Sequence, residues 1–129
     1  MPDALKILYV DDEADIRTIV QFAFEDEEGF ELKICASGQE ALDTVTDYRP
    51  DLVLLDVMMP GMDGPTTLQR LQLQPGLARL PVAFVTAKVQ PQEVTHLKSL
   101  GAVDVIAKPF DPMALADRVR SLWQGVRHA

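Results

Sequence analysis

Short apolar runs alternate with stretches of helical period along the whole chain. The first run is Lys6 to Val10. After it, Ile16, Ile19, Val20, Ala23 and Phe24 recur at the spacing of one helix face. Phe30 to Ala36 is the second run. Ser37-Gly38-Gln39-Glu40 then has capping-box form, a serine N-cap with glutamate three residues on, and opens a helix faced by Ala41, Leu42 and Val45. Leu52 to Leu55 is a third run, short and fully apolar. The turn-rich stretch Met59 to Pro65 leads into a helix carrying Leu68 and Leu71. Pro81 to Val85 is the fourth run, followed after Pro91 by a helix with Val94 and Leu97 that ends near Leu100-Gly101. Val103 to Ala107 is the fifth. Asp111-Pro112 has the form of an N-cap with proline at the first helical position, and predicts the start of a last helix striped by Leu115, Val119, Leu122 and Val126.

This pattern is a strand-helix unit repeated five times. Pro2, Pro50, Pro60, Pro65, Pro75, Pro81, Pro91, Pro109 and Pro112 all fall between elements or at helix starts, where proline is tolerated. Continuous apolar strands separated by helices predict a parallel sheet covered on both faces. Right-handed crossovers then favour an open, doubly wound α/β sheet of five strands in the flavodoxin-like order 2-1-3-4-5. A closed barrel needs eight such units and is excluded by length. Residues 1–129 are read as a single domain, with no repeat, linker or low-complexity segment.

Composition narrows the class. An apolar content of 47% suits a globular core. Cys35 is the only cysteine, which excludes a disulfide framework, and its apolar setting predicts a small buried hydrophobe. No apolar stretch reaches the roughly 20 residues of a membrane span, and no leader opens the chain, so a cytoplasmic setting without membrane insertion is expected. The net charge of −8 argues against direct nucleic-acid binding. His96 and His128 are expected at the surface, and the acidic run Glu25 to Glu28 is expected as a solvated end of the first helix.

In open α/β sheets ligands bind beyond the carboxyl ends of the strands. There the first strand supplies Asp11 and Asp12, the third Asp56, the fourth Thr86 and the fifth Lys108. Each alone reads as a cap, a turn residue or a solvated charge. Together they place three carboxylates, a hydroxyl and an ammonium on one rim. Close carboxylates repel, and one tends to stay protonated unless a cation joins them. Hard oxygen donors suit Mg²⁺, whereas no Cys/His set is present for zinc. A lysine and a hydroxyl beside a cation match the needs of a transferring phosphoryl group.

With those residues in place the chain resembles the receiver domain of bacterial two-component response regulators. The marks are Asp11-Asp12, Asp56 within Leu54-Leu55-Asp56-Val57-Met58-Met59-Pro60-Gly61-Met62-Asp63-Gly64, Thr86-Ala87, and Lys108-Pro109-Phe110. The resemblance runs from Lys6 to about Val126. It implies that Asp56 accepts a phosphoryl group from a sensor histidine kinase or a histidine phosphotransfer protein. It implies Mg²⁺ held by Asp11, Asp12, Asp56 and the backbone carbonyl of Met58. Lys108 would pair with the phosphoryl group, Thr86 would swing in to hydrogen-bond it, and the Lys108-Pro109 bond would be cis. Met58 and Lys88, each two residues past a key position, would flank the path of attacking water and tune the phosphate lifetime.

The output face implied by the resemblance is helix four, strand five and helix five, drawing on Lys88, His96, Lys98, Asp104, Arg118 and Trp123. Trp123 itself is expected to cover the edge of the core. Val105 stands where the family commonly carries Tyr or Phe, so the switch is expected to rest on Thr86 and the loop after strand four. The function expected is a phosphorylation-dependent switch that catalyses its own phosphoryl transfer and dephosphorylation without external turnover. No effector module follows in the 129 residues, so a single-domain regulator or phosphorelay intermediate is expected, as a monomer or a phosphorylation-dependent dimer. An aspartate-nucleophile phosphatase would need a second aspartate where Met58 stands. A flavodoxin-like electron carrier would need a phosphate-cradling loop where Asp11 and Asp12 stand. A degenerate receiver would have lost site residues, and all five are present.

Overall fold

The computed structural model describes residues 4–127. Five strands alternate with five helices: β1 (Leu5–Val10), α1 (Ala14–Glu25), β2 (Phe30–Cys35), α2 (Gly38–Tyr48), β3 (Leu52–Asp56), α3 (Gly64–Leu73), β4 (Val82–Thr86), α4 (Pro91–Ser99), β5 (Asp104–Ala107) and α5 (Leu115–Arg127). All pairings are parallel and the strand order is β2-β1-β3-β4-β5, as the sequence predicts.

The apolar runs are continuous because both sheet faces are covered. Leu8, Val10, Leu55, Phe84 and Val105 point into one layer with Ala41, Val45, Leu68, Leu71 and Leu97 from α2, α3 and α4. Ile7, Tyr9, Leu54, Val85 and Ile106 point into the other with Val20, Phe24, Leu115, Val119 and Leu122 from α1 and α5. Each Leu, Ile, Val or Phe among them contributes about 1.5–3 kcal/mol by leaving water, and none could be exposed without opening a layer. β2 lies at the edge and is only half covered, which accounts for its alternating sequence. Cys35 is buried as expected, and burial pushes its thiol up to about 11. Trp123 is half-buried against the α1/α5 layer.

Helix ends follow local chemistry. Ser37 Oγ accepts the Glu40 N–H at 3.1 Å; the reciprocal arm reaches one residue further back than the box implies, with Glu40 Oε1 accepting the Ala36 N–H at 3.0 Å. Asp63 caps α3 by accepting the Thr66 N–H at 2.9 Å. The expected opening of the last helix at Asp111-Pro112 is corrected: α5 begins at Leu115. Asp111 Oδ1 accepts the Met113 N–H and its carbonyl accepts the Ala114 N–H, which closes a separate turn; the following helical bond runs from the Arg118 N–H to the Ala114 carbonyl. The acidic run lies at and just beyond the end of α1, where Glu27 pairs with Arg120 at 2.9 Å. Pro2 and His128 lie outside the described residues, and His96 is exposed. Among the described residues no helix is long and apolar enough to cross a membrane.

Candidate functional site

Register brings the site together. Val10 pairs with Leu55, Asp56 with Val85, and Thr86 with Ala107, so Asp11, Asp56, Thr86 and Lys108 stand on one rim. The backbone fixes the loops there: the Val57 N–H donates to the Val85 carbonyl at 3.2 Å and the Lys108 N–H to the Thr86 carbonyl at 2.8 Å. Gly64 lets the start of α3 close on the end of β3. Its N–H donates to the Val57 carbonyl at 2.9 Å, and a Cβ there would lie 2.4 Å from the Asp56 carbonyl oxygen. The Lys108-Pro109 bond is cis, as expected.

Asp11 is fully buried and both its oxygens are occupied. Oδ1 accepts the Glu13 N–H at 3.0 Å; Oδ2 accepts the Tyr9 hydroxyl at 3.1 Å and lies 2.7 Å from Lys108 Nζ. Asp56, only 3% exposed, shares the same ammonium through Oδ1 at 3.2 Å. Asp56 Oδ2 and Asp12 Oδ1 are buried atoms without a hydrogen-bond partner. One oxygen from each of Asp11, Asp12, Glu13 and Asp56 falls within a set no wider than 4.8 Å.

Four carboxylates therefore cluster beside one ammonium, which lies within 4.0 Å of Asp11, Glu13 and Asp56. Burial, then the neighbouring Asp11 charge, pushes Asp56 up to about 6 against the opposing pull of Lys108. Burial pulls Lys108 down, but hydrogen bonds and charge from Asp11 and Asp56 outweigh it, and its ammonium is held above its ordinary range. Burial and the Asp11 charge likewise raise Tyr9, which stays a neutral donor. Two orphaned buried oxygens among hard donors are the chemistry a small divalent cation satisfies, so the residues fit Mg²⁺.

The structure thus joins Asp11, Asp12, Asp56 and Lys108 in one cluster. Thr86 stands on the same rim and is buried, but its hydroxyl accepts the Lys88 N–H at 3.1 Å instead of meeting a carboxylate. Met58, 69% exposed, and Lys88 line a cleft of about 360 Å³ beside the cluster together with Thr86 and residues of α4. Asp11 also serves the start of α1, but the N-cap itself is Glu13. Sequence reasoning missed Glu13, whose Oε1 is 4.0 Å from Lys108 Nζ, and Tyr9. The signals were available: Glu13 extends the Asp11-Asp12 pair, and Tyr9 is the one polar side chain within an otherwise apolar strand end.

The family profile described as response regulator receiver domain matches residues 7–120. The chain belongs to the receiver domain family. This receiver domain is 42% identical over 115 residues to sporulation initiation phosphotransferase F of Bacillus subtilis, covering 89% of this chain and 90% of that protein. It is 40% identical over 121 residues to protein-glutamate methylesterase/protein-glutamine glutaminase 2 of Rhodopseudomonas palustris, covering 92% of this chain and 32% of that one. Among solved structures it resembles the chemotaxis protein CheY4 of Vibrio cholerae, with 30% identity, a TM-score of 0.83, and coverage of 94% and 99% of the two chains. The chain spans only 32% to 50% of the length of several curated relatives it matches, the methylesterase among them. Membership places the receiver domain in phosphorylation-dependent signalling.

Proposed function

We propose that residues 1–129 act as one receiver domain in which Asp56 is the phosphoacceptor. The observation that carries this reading is the state of Asp56: a buried carboxylate on the rim, with one oxygen against Lys108 and the other without a partner. An Asp56 oxygen attacks the phosphorus of a phosphohistidine on a sensor histidine kinase or phosphotransfer protein. A P–O bond to Asp56 forms as the P–N bond breaks, and the donor imidazole leaves with the electron pair. Asp11, Asp12, Asp56 and the Met58 carbonyl would hold Mg²⁺, which when bound offsets negative charge on the carboxylates and the phosphoryl oxygens. Lys108 neutralises the phosphoryl group from the other side. Thr86 exchanges its bond to the Lys88 N–H for one to a phosphoryl oxygen, which frees the loop before α4.

That exchange is how chemistry at Asp56 reaches the face of α4, β5 and α5, where a partner would read it. On this face Asp104 already ties the elements together, with Lys98 Nζ at 3.9 Å and Arg118 Nη2 at 3.1 Å. Val105 is buried in the same layer as Leu97 of α4, and the motion is carried by Thr86 and the loop before α4. The domain works in the cytoplasm on its own phosphate and turns over no external substrate. The test is intact mass after incubation with acetyl phosphate. A gain of one phosphoryl group that needs Mg²⁺ and is absent in Asp56→Asn is expected. An equal gain in Asp56→Asn rejects the assignment.

A further inference from the structure

Tyr9 is a polar side chain of the inner sheet that the reading above leaves unused. It is fully buried on the α1/α5 side of β1. The one hydrogen bond of its hydroxyl among the described residues goes to Asp11 Oδ2 at 3.1 Å. That same oxygen lies 2.7 Å from Lys108 Nζ, while Lys108 is also 3.2 Å from Asp56 Oδ1. Lys108 thus has two close claimants, with Glu13 Oε1 further off at 4.0 Å, and Tyr9 shares one of the close two. A buried carboxylate stripped of its cation, with no donor left on that oxygen, carries its full desolvation cost.

If Lys108 turns wholly toward a phosphoryl group, Asp11 keeps the Glu13 N–H on Oδ1 and its share of the proposed Mg²⁺, and Tyr9 is the protein donor that stays on Oδ2. We infer that Tyr9 is a positioning residue for phosphoryl transfer: its hydroxyl holds Asp11 Oδ2 so that Lys108 can leave that oxygen for a phosphoryl group on Asp56. The phenol does no chemistry on the phosphoryl group, because it lies in the core and bonds only Asp11. Without it, the ammonium would remain on Asp11. The inference rests on Asp56 being the acceptor.

The experiment compares the parent protein, Tyr9→Phe and Tyr48→Phe, with saturating Mg²⁺ and acetyl phosphate as the donor. Phenylalanine keeps the ring in the core and removes only the hydroxyl. Two quantities are read: the rate of phosphorylation by intact mass, and the near-ultraviolet tyrosine absorbance before and after phosphorylation. Tyr9→Phe should be phosphorylated about tenfold more slowly, the effect of about one hydrogen bond to a charged group. Phosphorylation should change the tyrosine absorbance in the parent and in Tyr48→Phe, but not in Tyr9→Phe. A merely structural role would lower the melting temperature and leave the rate alone; Tyr9→Phe phosphorylated at the parental rate overturns the inference. If Tyr9→Phe fails to fold, Tyr48→Phe decides alone, since Tyr9 is then the only tyrosine left of two. An absorbance unchanged by phosphorylation there also overturns it. A parent that gains no phosphoryl group rejects the acceptor assignment and the Tyr9 role together, whereas a phosphorylated parent matched by Tyr9→Phe rejects the Tyr9 role only.

Discussion

Replacing Asp56 by asparagine should stabilise the metal-free protein, although it removes the residue on which function depends. Asp56 is buried, has one oxygen without a partner, and faces Asp11. Its carboxyl is pushed from 3.8 to about 6, a preference for the neutral form that already includes the opposing help of Lys108. A difference of about 2 pKa units corresponds to about 3 kcal/mol against the ionised, folded state. The direction follows from linkage. A carboxyl whose folded pKa is raised contributes stability that is present below about pH 4, and this is lost as pH rises through about 6. Asparagine has nearly the same shape and no charge, so at pH 7.5 in chelator Asp56→Asn should exceed the parent by about 2–3 kcal/mol, roughly 10 °C in melting temperature for a domain of this size. The advantage should shrink on going to pH 5. Mg²⁺ should narrow the gap, because a hundredfold excess over its dissociation constant stabilises the parent by about 3 kcal/mol and the variant by less. The assay is thermal or urea unfolding of both proteins from pH 5 to 8, with chelator and with Mg²⁺. An Asp56→Asn protein less stable than the parent in chelator, or a gap that does not move with pH, would refute the reasoning.

Three further outcomes follow from the same geometry. Gly64→Ala should cost about 2 kcal/mol or more in urea unfolding, since its Cβ would lie 2.4 Å from the Asp56 carbonyl oxygen and force α3 away from β3. Thr86→Ala should still accept phosphate by intact mass, yet lose the phosphorylation-dependent rise in amide exchange across residues 87 to 90; a parental exchange response would count against Thr86 as the relay. Met58→Asn should shorten the phosphate lifetime severalfold, because an exposed apolar side chain over the cleft gives way to one that can hold water; an unaltered decay rate would dismiss Met58 from that role.

The fold was legible because a doubly covered sheet leaves a coarse signal. Leu52 to Leu55 alternate between two apolar layers, so the run is unbroken and cannot be read as an amphipathic surface strand. The rim residues were legible because parallel strands put all their carboxyl ends on one side, which turns separate aspartates into a cluster. What escaped depends on side-chain direction and single hydrogen bonds. Tyr9 alternates with Leu8 and Val10, and an aromatic in a core strand gives no sign that its hydroxyl ends under Asp11. Glu13 carries no signal beyond following the Asp11-Asp12 pair; it takes the N-cap position of α1 without a side-chain cap bond, and its side chain reaches toward Lys108. At Asp111-Pro112 the N-cap signal was real, but it closes a turn that stops before α5.

The central claim is that Asp56 carries the phosphoryl group. An aspartyl phosphate is an acyl phosphate, and borohydride reduces it to an alcohol, leaving homoserine at the modified position. Phosphorylation with acetyl phosphate and Mg²⁺, reduction, and peptide sequencing by mass should find homoserine at position 56 and at no other aspartate. Homoserine at position 11 or 12, or equal conversion in protein never exposed to the phosphodonor, would contradict the assignment.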